Sequence, residues 1–284
     1  MAQSFHFFNG EYLEKDKCFM HVTDLSIQRS FAVFDYFIFI DKTPLYIDDY
    51  IQRFRNSVGK MGLKLSHTNR EIKEIVSKLI NLNGSDKGGI KFVFTGGYAP
   101  NGYDATKPNF LVMHLGFPII PGIHYKEGIK LLLEEYIRDF PTAKTTDYFF
   151  SLSIKEKIKQ KEAFDILYHK NGAISESSRS NFFIVDADGK VCTTNEGILE
   201  GITRAKLIES CAGEIEIVKR PILTEEIPFI KEAFLTSSVK RVIPIRQIGE
   251  TVIGNGKPGE VTLALRKRLA AFDESYLNVV KNHL

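Results

Sequence analysis

A short apolar segment bracketed by Pro118 and Pro121-Gly122 is the feature that most limits how this chain of 284 residues can fold. Proline lacks a backbone N–H donor and fixes φ, so the segment continues neither a helix nor a central strand. The chain length also lies where a single hydrophobic core begins to divide. We therefore expect two domains, residues 1–117 and residues 123–284, joined by a linker at residues 118–122.

The N-terminal part is predicted to combine strands with two amphipathic helices. Asn9-Gly10 separates two short strand-like runs, and this dipeptide tolerates the positive φ that tight hairpins require. Residues 31–40 are rich in β-branched and aromatic side chains, which is typical of a buried strand. Apolar side chains at helical spacing predict helices over residues 49–61 and 69–82.

The C-terminal part is predicted to mix strands and helices as well. The turn sequence at residues 186–189 separates two apolar runs and indicates a hairpin. Side-chain periodicity predicts strands over residues 129–136, 164–168, 233–236 and 241–245, and helices over residues 152–162, 203–212 and 261–280.

Composition and charge exclude several classes of protein. The net charge of +3 is spread along the chain, which gives no electrostatic footprint for nucleic acid. Cys18, Cys192 and Cys211 are far apart and have no histidine at ligand spacing, so neither a disulfide framework nor a metal site is indicated. The richest apolar stretch, residues 31–40, is broken by Asp35 and is too short to span a membrane. We expect a soluble, cytoplasmic protein.

Three features in the second half of the sequence follow one another in an order that indicates a cofactor-binding site. Lys144 is followed by Glu176, and then by the step Gly201-Ile202-Thr203-Arg204, which opens a helix-like stretch. Pyridoxal phosphate needs an amine for its aldehyde, an acid for its ring nitrogen and backbone amides for its phosphate. This order therefore predicts an enzyme that acts on amino acids with that cofactor.

The sequence resembles the class IV aminotransferases, the fold-type IV pyridoxal-phosphate enzymes that include branched-chain and D-amino-acid aminotransferases and aminodeoxychorismate lyase. The resemblance runs nearly end to end, through Phe8-Asn9-Gly10-Glu11, residues 49–57, the segments around Lys144, Glu176 and Gly201, and Gly256-Lys257-Pro258-Gly259. It implies an α+β fold with a small N-terminal α/β domain and a larger C-terminal domain that has a β-barrel-like core. It also implies a homodimer.

The resemblance assigns a role to several residues. Lys144 corresponds to the family's Schiff-base lysine, Glu176 to the acid that faces the pyridine nitrogen, and Tyr148 to the tyrosine that donates to the cofactor's O3′ oxygen. Asn181 corresponds to an asparagine on the next strand, and we expect it to bond backbone. The positions that match the family's phosphate contacts are Arg53, Ile202, Thr203 and Ser238.

Substrate recognition departs from the family pattern. Members that act on D-amino acids or aminodeoxychorismate often carry an arginine where this chain has Gly96. The other departures are Ser30, Asp35 and Ser177, where glycine, glutamate and glycine are common. Side chains that would line an apolar pocket, with one charge, are Phe34, Tyr36, Tyr98, Tyr103 and Arg29.

The resemblance leaves three hypotheses for function. The first is transfer of an amino group between an apolar amino acid, such as a branched-chain one, and a 2-oxo acid. The second is a lyase of the aminodeoxychorismate type, which the glycine at position 96 weighs against. The third, motivated by the four departures, is a protein that binds pyridoxal phosphate without efficient catalysis. Small-molecule partners are expected, and neither nucleic acid nor a membrane.

Overall fold

The computed structural model describes residues 4–282, which divide into two compact units. The first unit contains residues 4–118, 143–147 and 276–282, and the second contains residues 119–142 and 148–275. The domains predicted from the sequence, 1–117 and 123–284, stay a prediction. Residues 143–147 belong to the first unit although they follow the predicted linker, because their backbone pairs with a strand of that unit.

The first unit is built on a six-stranded antiparallel sheet with the order β2-β1-β6-β5-β3-β4. Asn9 and Gly10 join the first two strands with φ of 49° and 104°, which confirms the predicted hairpin. The strands are β1 (Phe5–Phe8), β2 (Glu11–Glu14), β3 (Ala32–Ile40), β4 (Thr43–Pro44), β5 (Lys87–Thr95) and β6 (Phe110–Leu115).

Three helices accompany this sheet: α1 (Leu25–Arg29), α2 (Ile47–Lys60) and α3 (Asn69–Asn83). Helix α3 begins with a capping box, in which the side chains of Thr68 and Glu71 bond each other's backbone N–H groups. One face of the sheet carries aromatic side chains that pack against α2, and the Phe54 ring lies 5.2 Å from the Phe92 ring. The periodicity of the sequence thus located α2 and α3 to within about two residues.

The second unit contains a closed ring of six strands in the order β10-β14-β15-β7-β8-β9, with β9 pairing back to β10. A closed ring leaves no free strand edge among its members, and it confirms the expected barrel-like core. The strands of this unit are β7 (Ile129–Glu135), β8 (Asp165–Lys170), β9 (Ala173–Ser177), β10 (Ser180–Val185), β11 (Val191–Thr193), β12 (Ile217–Lys219), β13 (Ile222–Leu223), β14 (Glu232–Ser237), β15 (Arg241–Ile248) and β16 (Thr251–Val252).

Its helices are α4 (Ile123–Glu127), α5 (Phe149–Ser153), α6 (Lys155–Gln160), α7 (Ile202–Cys211) and the greater part of α8 (Glu260–Lys281), whose residues from 276 onward belong to the first unit. The prediction of one continuous helix over residues 152–162 was wrong. The hydroxyls of Ser151 and Ser153 donate to carbonyls of the preceding turn, which competes with regular helix, and α5 ends before Ile154. Within residues 4–282, no helix has both the length and the apolar character needed to cross a membrane.

Candidate active site

Lys144 is fixed to the edge of the first unit's sheet. Thr145 forms an antiparallel bridge with Val33, and the N–H of Phe34 donates to the carbonyl of Lys144 at 2.9 Å. Residues directly opposite each other in antiparallel strands share a face, so Lys144 stands beside Phe34. The Lys144 Nζ lies 4.6 Å from the Phe34 ring centroid, and its backbone N–H donates to Ser57 Oγ at 3.1 Å. The backbone of Lys144 is therefore held at the edge of β3, and its amine lies over the Phe34 ring.

Arg53, on α2, pairs with the fully buried carboxylate of Asp35 on β3. Its Nε donates to Asp35 Oδ2 at 3.0 Å, and its Nη2 donates to Oδ1 at 2.6 Å. Such a fork-to-fork pair fixes the plane of the guanidinium and uses two of its five donors. Successive side chains of a strand point to opposite faces, so Asp35 lies on the face that α2 covers, whereas Phe34 shares the other face with Lys144.

Glu176 is a buried carboxylate of the second unit. Its Oε2 accepts from the backbone N–H of Leu199 at 3.1 Å and from Asn181 Nδ2 at 3.4 Å. The Nε of Arg138 lies 3.6 Å from Oε1, which is an ion-pair distance. Asn181 also donates to the Leu199 carbonyl at 2.8 Å, which confirms its expected bond to backbone. These partners hold the negative charge in one place.

Tyr148 immediately precedes α5, and the charge of Glu176 influences the pKa of its phenol. Burial raises the pKa of its phenol, the charge of Arg138 opposes that shift, and the carboxylate of Glu176 adds to it. The net shift is upward, so the phenol stays protonated at neutral pH and keeps its ability to donate a hydrogen bond.

The N-terminus of α7 lies against Asn181. Gly201 precedes the helix, and a Cβ at this position would collide with Asn181 Oδ1, so glycine is required for the close approach. Ile202 and Thr203 form the first turn, whose N–H groups have no acceptor within the helix. The buried Thr203 hydroxyl accepts from Arg241 Nη1 at 3.2 Å.

Ser238 follows β14 directly. Thr236 of β14 pairs with Asn181 of β10, which in turn pairs with Glu176 of β9. The turn that carries Ser238 therefore lies at the same end of the six-stranded ring as Glu176 and Asn181. Four of the expected cofactor contacts thus lie at one end of the ring or in the helix beside it, namely Glu176, Ile202, Thr203 and Ser238.

Comparison with known proteins assigns the family. A family model described as amino-transferase class IV matches residues 32–248. The chain belongs to the class IV aminotransferases. This aminotransferase is 26% identical over 264 residues to a D-alanine aminotransferase of Bacillus licheniformis, with 90% of this chain and 92% of that protein covered. It is 25% identical over 275 residues to a putative branched-chain-amino-acid aminotransferase of Methanocaldococcus jannaschii, with 92% and 94% covered.

Solved structures show the same fold. A branched-chain aminotransferase from Thermoproteus uzoniensis with norvaline has a TM-score of 0.86 at 21% identity, with 97% of this chain and 98% of that chain covered. A hypothetical aminotransferase from Mycobacterium tuberculosis in a PLP-bound form has a TM-score of 0.83 at 17% identity, with 96% and 99% covered. The expected fold-type IV architecture is confirmed, and pyridoxal phosphate is the cofactor of this aminotransferase family.

The candidate substrate residues of the aminotransferase fall into two groups. Phe34 and Tyr36 share the face of β3 that carries Lys144, and the Tyr36 hydroxyl packs over Gly89, away from Phe34. Tyr98 is exposed instead beside α1, where its ring contacts His21. Further candidates near α1 and in the adjoining loop, both exposed, are Arg29 and Tyr103.

The structure shows the backbone conformation or the packing at three of the positions that depart from the family pattern. Ser30 ends α1 with φ of 55°, the left-handed region that favours glycine. A Cβ at Gly96 would come within 2.6 Å of the Phe31 ring and 2.8 Å of Leu25, so a longer side chain does not fit unless both move. Ser177 pairs with Ser180 in the tight hairpin between β9 and β10.

A buried ion pair that lies near Glu176 was not predicted from the sequence. Lys240 Nζ lies 3.3 Å from Asp165 Oδ2 and donates to Ser180 Oγ at 2.8 Å. Burial lowers the pKa of Lys240, and the nearby Asp165 opposes that shift. The pair joins β8, β10 and the turn after β14, and thereby supports the end of the ring where Glu176 lies. Nothing local in the sequence marks Lys240 as buried.

Proposed function

We propose that this aminotransferase transfers an amino group between an apolar amino acid, branched-chain ones included, and a 2-oxo acid, with Lys144 as its Schiff-base lysine. The observation that carries the proposal is the Lys144 amine, held on a strand edge at 4.6 Å from the Phe34 ring. The aromatic face of Phe34 supplies apolar surroundings for a substrate side chain close to the reactive amine. Relatives named as a D-alanine aminotransferase and a putative branched-chain-amino-acid aminotransferase support the same type of reaction.

Within each unit taken by itself, the candidate residues suit chemical groups of pyridoxal phosphate. A guanidinium, the first turn of a helix and a hydroxyl suit a phosphate, and we assign Arg53, Ile202, Thr203 and Ser238 to it. When bound, the cofactor supplies an aldehyde for the amine and an electron sink for the substrate Cα. Glu176 would hold a proton on the ring nitrogen, since its charge is fixed by Leu199 and Arg138.

Two further residues would handle protons. The protonated phenol of Tyr148 would donate to the O3′ oxygen, because burial keeps it neutral. Lys144, once displaced by the substrate amine, would accept the Cα proton at its Nζ and return it during the second half of the reaction. A strand-edge position suits this task, since it limits the directions in which the amine can move.

The first test locates the covalent link and the reaction together. Borohydride reduction of the loaded protein followed by peptide mapping should place the cofactor on Lys144. Lys144→Ala should lose this label and transamination, whereas the exposed Lys155→Ala should keep both. A label on another lysine, or transamination retained by Lys144→Ala, would contradict the proposal.

The second test identifies the substrates. L- and D-forms of leucine, valine and alanine would each be assayed with 2-oxoglutarate. Product formation that needs the 2-oxo acid supports transfer, and pyruvate released from aminodeoxychorismate without an acceptor would replace it by elimination. A loaded protein that no amine converts would favour the hypothesis of binding without efficient catalysis.

We also infer a homodimer. Three large apolar side chains within residues 19–27 are exposed in the first unit, namely Phe19 at 76%, Val22 at 68% and Ile27 at 56%. Such clustering is typical of a surface covered by another protein. Light scattering coupled to size exclusion measures the mass, and a monomer at micromolar concentration would contradict the inference. The cytoplasmic location stays a prediction.

A further inference from the structure

Arg241 links two of the segments assigned to the cofactor phosphate. It is the first residue of β15 and pairs with Ser237, the last residue of β14, so it closes the short turn that carries Ser238. Its side chain reaches the start of α7, where Nη1 donates to the Thr203 hydroxyl at 3.2 Å. One residue therefore joins this turn to the first turn of α7.

The guanidinium of Arg241 is also fixed by α8. Its Nη2 donates to both carboxylate oxygens of Asp273, at 2.6 Å to Oδ2. The Arg241 and Asp273 side chains are 20% and 14% exposed, so salt screens this pair only weakly. Arg241 has a φ of 52°, a left-handed conformation that costs a non-glycine residue free energy and persists where surrounding contacts impose it. The direction of the side chain is thus set by the fold.

The Thr203 hydroxyl accepts from Arg241 and keeps its own hydrogen for another partner. Arginine only donates, so Thr203 uses a lone pair in this contact, and its hydrogen has no acceptor within residues 4–282. Thr203 is 3% exposed, and a buried donor without an acceptor costs free energy unless a ligand or water accepts from it. The first-turn N–H groups of α7 are further donors, and the helix dipole favours an anion there.

We propose that Arg241 is a positioning residue for the cofactor phosphate: it holds the turn of Ser238 against α7 and directs the Thr203 hydroxyl hydrogen towards a phosphate oxygen. The inference rests on the proposed function, in which Ile202, Thr203 and Ser238 contact the phosphate. A hydroxyl that already accepts from a cation becomes a stronger donor, because hydrogen bonds in a chain polarise one another. Arg241 thereby raises the affinity for the phosphate without contacting it.

The binding test compares two ligands that differ in the phosphate group. The cofactor-free protein is titrated with pyridoxal phosphate and with 5′-deoxypyridoxal, which has the same ring and aldehyde. The preference for pyridoxal phosphate, taken as the ratio of the two affinities, measures what the phosphate contributes. Arg241→Met should reduce this preference about 10- to 100-fold, the range for loss of a hydrogen bond to a charged group, with little change for 5′-deoxypyridoxal. An unchanged preference would overturn the proposal.

Arg220→Met is the matched control. Arg220 belongs to the same unit and donates to both carboxylate oxygens of Glu226, at 2.8 and 3.0 Å. Its other partner, Asp186, follows the end of β10 opposite to Asn181. This variant also loses a bidentate arginine pair, so it should keep the preference for pyridoxal phosphate even if thermal unfolding shows it to be less stable. An equal loss of preference in Arg220→Met would overturn the proposal, because general destabilisation would then explain the effect.

A double variant tests whether Arg241 acts through the hydroxyl. Thr203→Val removes the hydroxyl and should itself lower the preference, whereas Thr203→Ser should retain it. Adding Arg241→Met to Thr203→Val should have little further effect, since residues that act through one contact are not additive. Additive losses would overturn the positioning role. The buried Nε of Arg241, which has no acceptor among the described residues, would then bind the phosphate itself.

A second double variant excludes repulsion by the carboxylate that Arg241→Met leaves unpaired. Arg241→Met/Asp273→Leu removes both charges, and its preference should stay low because the Thr203 hydroxyl is still undirected. Recovery of the preference would overturn the proposal. Failure of the proposed function would look different: Thr203→Val would then leave the preference unchanged, or the borohydride label would lie outside Lys144. If only the inference fails, Thr203→Val lowers the preference and Arg241→Met does not.

Discussion

The pair between Arg53 and Asp35 allows a direct test of how the first unit is stabilised. Asp35 is fully buried, and the Arg53 side chain is 11% exposed. The carboxylate accepts two hydrogen bonds from the guanidinium, at 2.6 and 3.0 Å, and one from the backbone N–H of Tyr36 at 2.7 Å. In Arg53→Met the carboxylate would keep one of these three donors in the same buried position.

The expected cost follows from this burial. Removing one partner of a buried pair costs about 3–5 kcal/mol, because the remaining charge is uncompensated, whereas an exposed pair contributes about 0–1 kcal/mol. We therefore expect Arg53→Met to lower the free energy of unfolding by about 3–5 kcal/mol. The double variant Arg53→Met/Asp35→Leu removes both charges and should be more stable than Arg53→Met alone.

Urea unfolding of the cofactor-free protein, followed by circular dichroism, measures this difference without a contribution from ligand binding. A loss below about 1 kcal/mol in Arg53→Met would refute the buried pair. The result also bears on the phosphate assignment. Weaker cofactor binding by Arg53→Met has two possible causes, a lost phosphate contact and a destabilised α2, and the double variant distinguishes them.

Two other predictions concern pH and packing. Burial lowers the pKa of His114 below 6.5, so the unfolded chain takes up its proton first, and the stability that His114 contributes is present above pH 6.5 and lost as the pH falls below it. His114→Leu should therefore reduce the fall in urea midpoint between pH 7.5 and 5.5, and an unchanged fall would contradict this. Gly201→Ala should cost about 1–3 kcal/mol by forcing Asn181 to move. Gly59→Ala, where nothing lies within 4 Å, is its control, and equal stabilities would count against the collision.

Much of the fold could be predicted from local patterns. Asn9-Gly10 specified a hairpin through its backbone preferences, and apolar periodicity located α2, α3 and α8. The hairpin between β10 and β11 followed from the turn residues between its two apolar runs. These features depend on neighbours close in sequence, so a single chain reveals them. The family and its cofactor were also predicted, and the family match confirms both.

The contacts that define the site were harder to predict because they join residues far apart in sequence. Nothing near Asp35 indicates that its partner is Arg53, and nothing near Asp165 indicates Lys240. The short strand β9, which carries Glu176, has few residues and was not predicted, since its pairing with β8 and β10 defines it. The roles of Lys144, Tyr148, Glu176 and the phosphate contacts stay predictions until the labelling and binding experiments test them.

Residues 143–147 pair with β3, and successive side chains along such a segment point to alternate faces of the sheet. The direction of the Lys144 side chain is therefore set by its position in the segment. Moving the lysine by one position along this segment would turn its amine to the other side of the sheet, towards α2 and away from Phe34. A substitution that exchanges Ala143 and Lys144 would leave composition and length untouched and still abolish the geometry. The role proposed for Lys144 would thus depend on its position within this segment as much as on its being a lysine.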